Sequence, residues 1–135
     1  MLISVYGSAV FGALGSGALQ SNTYGHQNTA VGASALGDLT TGGNNVALGY
    51  FTGIGISTGR ANTLLGTNIR WLAADLSNTV IIADGDGNRR IVADANGNVG
   101  IGSENLTHAH TLTVSGTIGL EGNPAIHPDY VFNWF

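Results

Sequence analysis

Asn28-Thr29-Ala30-Val31-Gly32 returns as Asn45-Val46-Ala47-Leu48-Gly49 and again as Asn62-Thr63-Leu64-Leu65-Gly66, each copy starting 17 residues after the one before. The same register brings back Gly25, Gly42 and Gly59 three residues ahead of the asparagine, and a worn copy precedes the set at Ala13-Leu14-Gly15. A unit this short holds one strand and its turns. It cannot bury its own apolar face, so neighbouring coils must cover it, which is the mark of a solenoid or array. Asn28, Asn45 and Asn62 are then structural residues, bonding to the backbone of their turns or stacking in a ladder from coil to coil. Gly32, Gly49 and Gly66 are expected where backbones approach closely or φ is positive.

Composition agrees with small coils. Of the 135 residues 43% are apolar, but much of that share is alanine, and 22 glycines is more than twice the usual fraction. Each coil therefore offers only two or three bulky aliphatic side chains. A lone chain is short of core, and further coils or further subunits around an axis are the expected remedy. Lysine is absent, and four arginines (Arg60, Arg70, Arg89, Arg90) face eight acids for a formal charge of −4. A nucleic-acid binder needs a basic stripe that this chain lacks. The absence of cysteine excludes disulfides and thiolate metal sites. The opening Met1-Leu2-Ile3-Ser4-Val5-Tyr6 has no basic flank and breaks at Gly7, so no signal peptide is expected. No apolar run approaches the roughly 20 residues that span a bilayer.

Along the chain, residues 1–70 read as the repeat region, with 1–20 an irregular first coil or an attachment strand. Within the coils a second apolar patch, Ala35-Leu36 or Tyr50-Phe51, follows the strand. Turns at 42–44 (Gly-Gly-Asn) and 57–59 (Ser-Thr-Gly) make the corners. Residues 71–77 read as a capping and linking segment in which Trp71 seals the stack. Its alternative role is a tryptophan that stacks on sugar. Residues 78–135 read as β-hairpins and a tail: strand Thr79–Ala83, turn 84–88, strand Arg89–Ala93, turn 94–98, then Val99–Gly102, Thr111–Val114 and Thr117–Leu120. No stretch makes an amphipathic helix of three turns. The fold class is all-β, a glycine-rich repeat solenoid or β-prism with a hairpin-rich C-terminal part.

The order of these pieces carries a resemblance. The Asn-Thr-Ala-Val-Gly repeats, then Thr79-Val80-Ile81-Ile82, then Asn96-Gly97-Asn98-Val99-Gly100-Ile101-Gly102, then Leu112-Thr113-Val114-Ser115-Gly116-Thr117-Ile118, resemble the distal shaft of phage tail-fibre and tail-spike proteins over most of the chain. In that family this region lies just before a C-terminal intramolecular chaperone, and Pro128-Asp129-Tyr130-Val131-Phe132 looks like the junction with it. The chaperone and its self-cleaving serine are expected to be truncated or already removed.

The resemblance implies an intertwined homotrimer in the virion, on tail or capsid surface, with other virion proteins and a host-surface glycan as partners. Val31, Leu48 and Leu65 from three chains are expected to meet around its axis. A looser similarity runs to the head domain of trimeric autotransporter adhesins. A receptor-binding role would use Tyr24, Tyr50, Phe51 or Trp71 to stack on sugars. A capsid cement or head-fibre role would instead use the N-terminal strand as an arm on the shell.

Candidate chemistry is sparse. His108 and His110 share one face of an extended segment, so three chains would bring six imidazole nitrogens to a threefold axis, a possible transition-metal site; the plain reading is a surface pair. Asp84-Gly85-Asp86-Gly87-Asn88 has oxygens at alternate positions but lacks the acid that closes a calcium loop, so a hairpin turn is expected. Glu104 and Glu121 sit in no catalytic motif, and Asp38, Asp75 and Glu104 offer at most an inter-chain arrangement without a signature. No enzyme activity is expected.

Overall fold

The computed structural model describes residues 12–104, 106, 111–120 and 123–126, and these contain strands and turns but no helix. Strands β1 (Gly12–Leu14), β2 (Thr29–Val31), β3 (Val46–Leu48), β4 (Thr63–Leu65) and β5 (Val80–Ala83) stack in parallel as a β-solenoid. Their register is the sequence period itself: Ala13, Ala30, Ala47, Leu64 and Ile81 fall in one column, each opposite the residue 17 further on. The sheet continues through β6 (Arg89–Ala93) and β7 (Val99–Ile101), both antiparallel additions, to β8 (Leu112–Val114), parallel to β7. All eight strands form one sheet in chain order. A separate antiparallel pair joins β9 (Ile118–Leu120) to β10 (Asn123–Ile126).

Side chains of a strand alternate between faces, so each three-residue strand sends its middle residue inward and its outer two outward. Ala30, Ala47, Leu64 and Ile81 are buried, and the returning sides of the coils meet them with Ala35, Leu36, Leu39, Ile56 and Ile69. Sizes compensate within this core. Gly53 occupies the register position of Leu19 and Leu36, and a Cβ there would lie 2.6 Å from Leu36 Cδ2 and 3.1 Å from Leu64 Cδ1. Leucine at 64, where earlier coils carry alanine, fills the space that glycine at 53 vacates. The returning sides bond to the next coil as well as through tight turns of their own, such as Leu39 N–H to Leu36 O at 3.1 Å. Thr40 N–H donates to Ser57 O at 2.8 Å, Ser57 N–H to Ala74 O at 2.9 Å and Gly53 N–H to Ile69 O at 2.9 Å.

Three expectations are corrected. Residues 71–77 do not plug the stack; they are the returning side of a further full coil, and Trp71 is 89% exposed. The reason is a slipped corner: left-handed backbone falls on Trp71 (φ 59°) rather than on Arg70, the position 17 residues after Gly53 (φ 85°). Leu72 and Leu76 pack against the core in its place. Tyr50-Phe51 is not the counterpart of Ala35-Leu36, because those slots are filled by Thr52 and Gly53; Tyr50 and Phe51 stand where Ala33 and Ser34 stand, toward the outside. The boundary at 78 falls inside a coil, since β5 pairs with β4 in the unbroken register Thr63↔Val80, Leu64↔Ile81 and Leu65↔Ile82.

Candidate functional site

The outward side of the sheet is the most unusual surface. One register column runs from Leu14 through Val31, Leu48, Leu65 and Ile82 to Ile91, Ile101 and Val114. Beside it runs a second, through Thr29, Val46, Thr63, Val80, Ala93 and Val99 to Leu112. Neither column holds a charged side chain. Val31, Leu48, Ile82, Ile91 and Ile101 are 36 to 44% exposed and Leu14 60%. At about 4.8 Å per strand, seven steps make an apolar strip about 34 Å long. Monomeric proteins keep contiguous apolar patches small, and a long strip of this kind marks an interaction surface.

The four aromatic candidates do not converge. Tyr24 stands alone at a corner, 82% exposed. Tyr50 and Phe51 meet edge to face with ring centroids 4.3 Å apart. The Arg70 guanidinium carbon sits 4.1 Å from the Phe51 centroid, a cation–π contact that occupies one face of the ring. Phe51 is thus braced and half-buried, which leaves Tyr50 as the accessible member of that pair. Trp71 faces the closing end of the coil stack, at the rim of a cleft of about 240 Å³. Sequence reasoning missed the roles of Arg70 and of this cleft. One signal was present: Arg70 falls in the register position of Leu19 and Leu36 and is the sole charge in that column.

The acidic turns serve themselves. Asp84 Oδ1 accepts from the backbone N–H groups of Asp86 and Asn88, each at 3.0 Å, and its carboxylate also accepts from the Asn88 amide and from Arg90. The Asn88 side chain, with Arg90 and the two backbone donors, holds its carboxyl down to about 2 against the opposing effect of desolvation. Asp94 repeats the arrangement with Asn96 and Asn98, and the Asn98 side chain leads in lowering its carboxyl. These oxygens accept the hydrogen bonds that close the two hairpin turns. Glu104 pairs with Arg89 at 3.1 Å, and Asp38 Oδ2 accepts from Gly55 N–H at 3.0 Å. Among the described residues no cluster of three or more histidine and carboxylate side chains is assembled. His108 and His110 lie outside the described residues.

The repeat residues form the scaffold under these surfaces. Asn45 N–H and Nδ2 donate to Asn28 Oδ1 at 3.0 and 3.1 Å, and Asn62 does the same to Asn45 at 3.1 and 2.9 Å. Each Nδ2 also donates across its corner, Asn28 to Gly42 O at 2.9 Å and Asn45 to Gly59 O at 3.0 Å. Gly32, Gly49 and Gly66 have φ of 130°, 130° and 128°, and a Cβ at the first two would strike the carbonyl of the corresponding glycine one coil on. No protein-family model matches the chain, and neither a curated protein nor a solved structure matches it.

Proposed function

We propose that this chain is a non-enzymatic structural segment of a phage virion, a trimeric short fibre or spike that meets the host surface. The observation that carries the reading is the uncharged apolar strip along all eight strands. A free chain would expose it to water over its whole length. Three copies around an axis bury it against itself, and the strip includes Val31, Leu48 and Leu65, the residues that the threefold arrangement needs. The order of motifs along the chain, similar to a tail-fibre shaft, supports the virion context, and the exposed rings of Tyr24, Tyr50 and Trp71 support contact with a glycan.

Two measurements test this. Sedimentation equilibrium is expected to give three times the 13.7 kDa chain mass. Antibody labelling of virions viewed by electron microscopy is expected to mark the tail. Labelling on the capsid would transfer the trimer to a decoration or head-fibre role, and a folded species of one chain mass would overturn the fibre.

A further inference from the structure

The coil stack ends where the returning side of the last full coil meets the β6–β7 hairpin and the segment after β7. A cleft remains there. Its floor is aliphatic, made by Leu72, Leu76, Val92 and Leu106, and its polar wall is Arg89, Asp94 and Glu104. Trp71 stands at the mouth. It is 89% exposed, and its left-handed φ of 59° is costly for a bulky side chain, by roughly 1–2 kcal/mol. The same left-handed conformation falls on Leu19 (φ 53°) and Leu36 (φ 50°) at the equivalent corner of earlier coils, where the side chain is buried; what sets Trp71 apart is an apolar ring held out in solvent beside an apolar cleft.

The geometry points to a binding site in this cleft for one neutral pyranose ring of a host-surface glycan, stacked on Trp71 and held through its hydroxyls by the Arg89–Glu104 pair. This rests on the host-attachment reading above. The class of ligand follows from shape and charge. At about 240 Å³ the cleft is smaller than the roughly 300–1,000 Å³ that encloses a drug-sized ligand, so it takes one ring and leaves the remainder in solvent. A pyranose has an apolar C–H face for the indole and a rim of hydroxyls for polar groups. Arg89 is already fixed: its Nη1 donates to Glu104 Oε2 at 3.1 Å and its Nη2 to Arg70 O at 3.4 Å. A held fork beside a carboxylate presents donors and acceptors side by side, the pattern that a pair of adjacent hydroxyls satisfies. With Arg89 balanced by Glu104 and Asp94 adding a further negative charge, the wall disfavours sialic acids, uronic acids and phosphates.

The test uses the full chain and follows the indole N–H signal of Trp71 in a heteronuclear NMR titration. The probes are the methyl pyranosides of glucose, galactose, mannose and N-acetylglucosamine, with sialic acid as the charged comparison. At least one neutral sugar is expected to shift Trp71 saturably. Trp71→Ala should weaken that sugar about tenfold or more, monitored on the ligand signals, and Trp71→Phe should restore part of the affinity. Glu104→Gln should weaken it as well, whereas Gln20→Ala, exposed in the first coil and far from the cleft, should leave it unchanged. Melting curves confirm that each variant is folded, which an 89% exposed position should permit. Undiminished binding in Trp71→Ala, or shifts confined to Tyr24 or Tyr50, would overturn the cleft while sparing the host-attachment reading. Preference for sialic acid would overturn the charge argument and the proposal with it. Failure of these sugars and of whole host-cell polysaccharide alike would overturn both the cleft and the glycan partner.

Discussion

Asn45 uses its whole hydrogen-bonding capacity inside the protein. Its two amide hydrogens go to Asn28 Oδ1 and Gly59 O, and its Oδ1 accepts twice from Asn62. The sequence left two roles open for this residue, a bond to its turn or a ladder between coils, and the structure joins them because an amide has enough donors for both. Removing such a hub leaves buried partners unmatched, at about 1–3 kcal/mol each. Asn45→Ala is expected to cost about 3 kcal/mol or more in thermal unfolding. Asn45→Asp should cost more, since a carboxylate would face Asn28 Oδ1 and Gly59 O with no hydrogen to offer. An aspartate variant as stable as wild type would mean that the ladder does not carry the stack. Glycine can be tested in the same way. Gly49 combines φ 130° with a neighbouring carbonyl in the path of any Cβ, whereas Gly85 has nothing within 4 Å. Gly49→Ala is expected to destabilise by about 2 kcal/mol or more and Gly85→Ala by a few tenths. Equal melting shifts would refute the close approach of the coils.

Coil and hairpin obey different local rules, and each suggests a substitution. Left-handed backbone recurs at Gln27, Asn44, Ala61 and Asn78, with φ between 54° and 59°, one residue ahead of the asparagine ladder and of its Thr79 terminus. Asparagine tolerates that region and alanine does not. Ala61→Asn is therefore expected to stabilise the protein by about 0.5–1 kcal/mol, read as a raised melting midpoint. The hairpin turns answer to pH instead. Folding lowers the Asp84 carboxyl from 3.8 to about 2, and Asp94 shifts in the same direction. A depressed carboxyl gives a contribution complete above the unfolded value and lost as pH falls toward the folded one. The Asp86 and Asn88 amide signals should hold at pH 4 and move only as pH nears 2; a midpoint at 3.8 would show that Asp84 does not cap the turn. The hairpins were legible in sequence because Asp-Gly and Asn-Gly turns are strong local signals: β6 begins and ends where they place it. The extension of the ladder to β5 was obscured by Thr79 in the asparagine slot and Ala83 in the glycine slot. Its hidden signal was Val80-Ile81-Ile82 itself, 17 residues after Thr63-Leu64-Leu65. The cleft was not legible, because it is made by residues from 71 to 106 that no short pattern connects.

At the scale of the molecule the unresolved energy lies on the outward strip. Inside a coil, Ala30 and Ala47 contribute little area, and the larger Val31 and Leu48 point away from the core that needs them. Burying a valine or leucine fully is worth about 1.5–3 kcal/mol, and strip residues still 36 to 60% exposed would gain the corresponding share of it, repeated over successive levels on each of three chains. Closed symmetry would also cover the strip without leaving copies free to add indefinitely. If assembly supplies the core, folding and association are one event and stability depends on concentration. Leu48→Glu separates the alternatives, because it places a charge at the middle of the strip, where three copies would face one another, and removes nothing from the buried side of β3. The variant is expected to lose the threefold mass in sedimentation and to lose β-type circular dichroism on dilution at concentrations where wild type keeps both. Tyr24→Glu, at an 82% exposed corner away from the strip, should sediment and melt as wild type does. A Leu48→Glu protein with unchanged mass and melting would show that the strip faces solvent, and a wild-type chain that stays folded at 13.7 kDa on dilution would show that the coils hold themselves together.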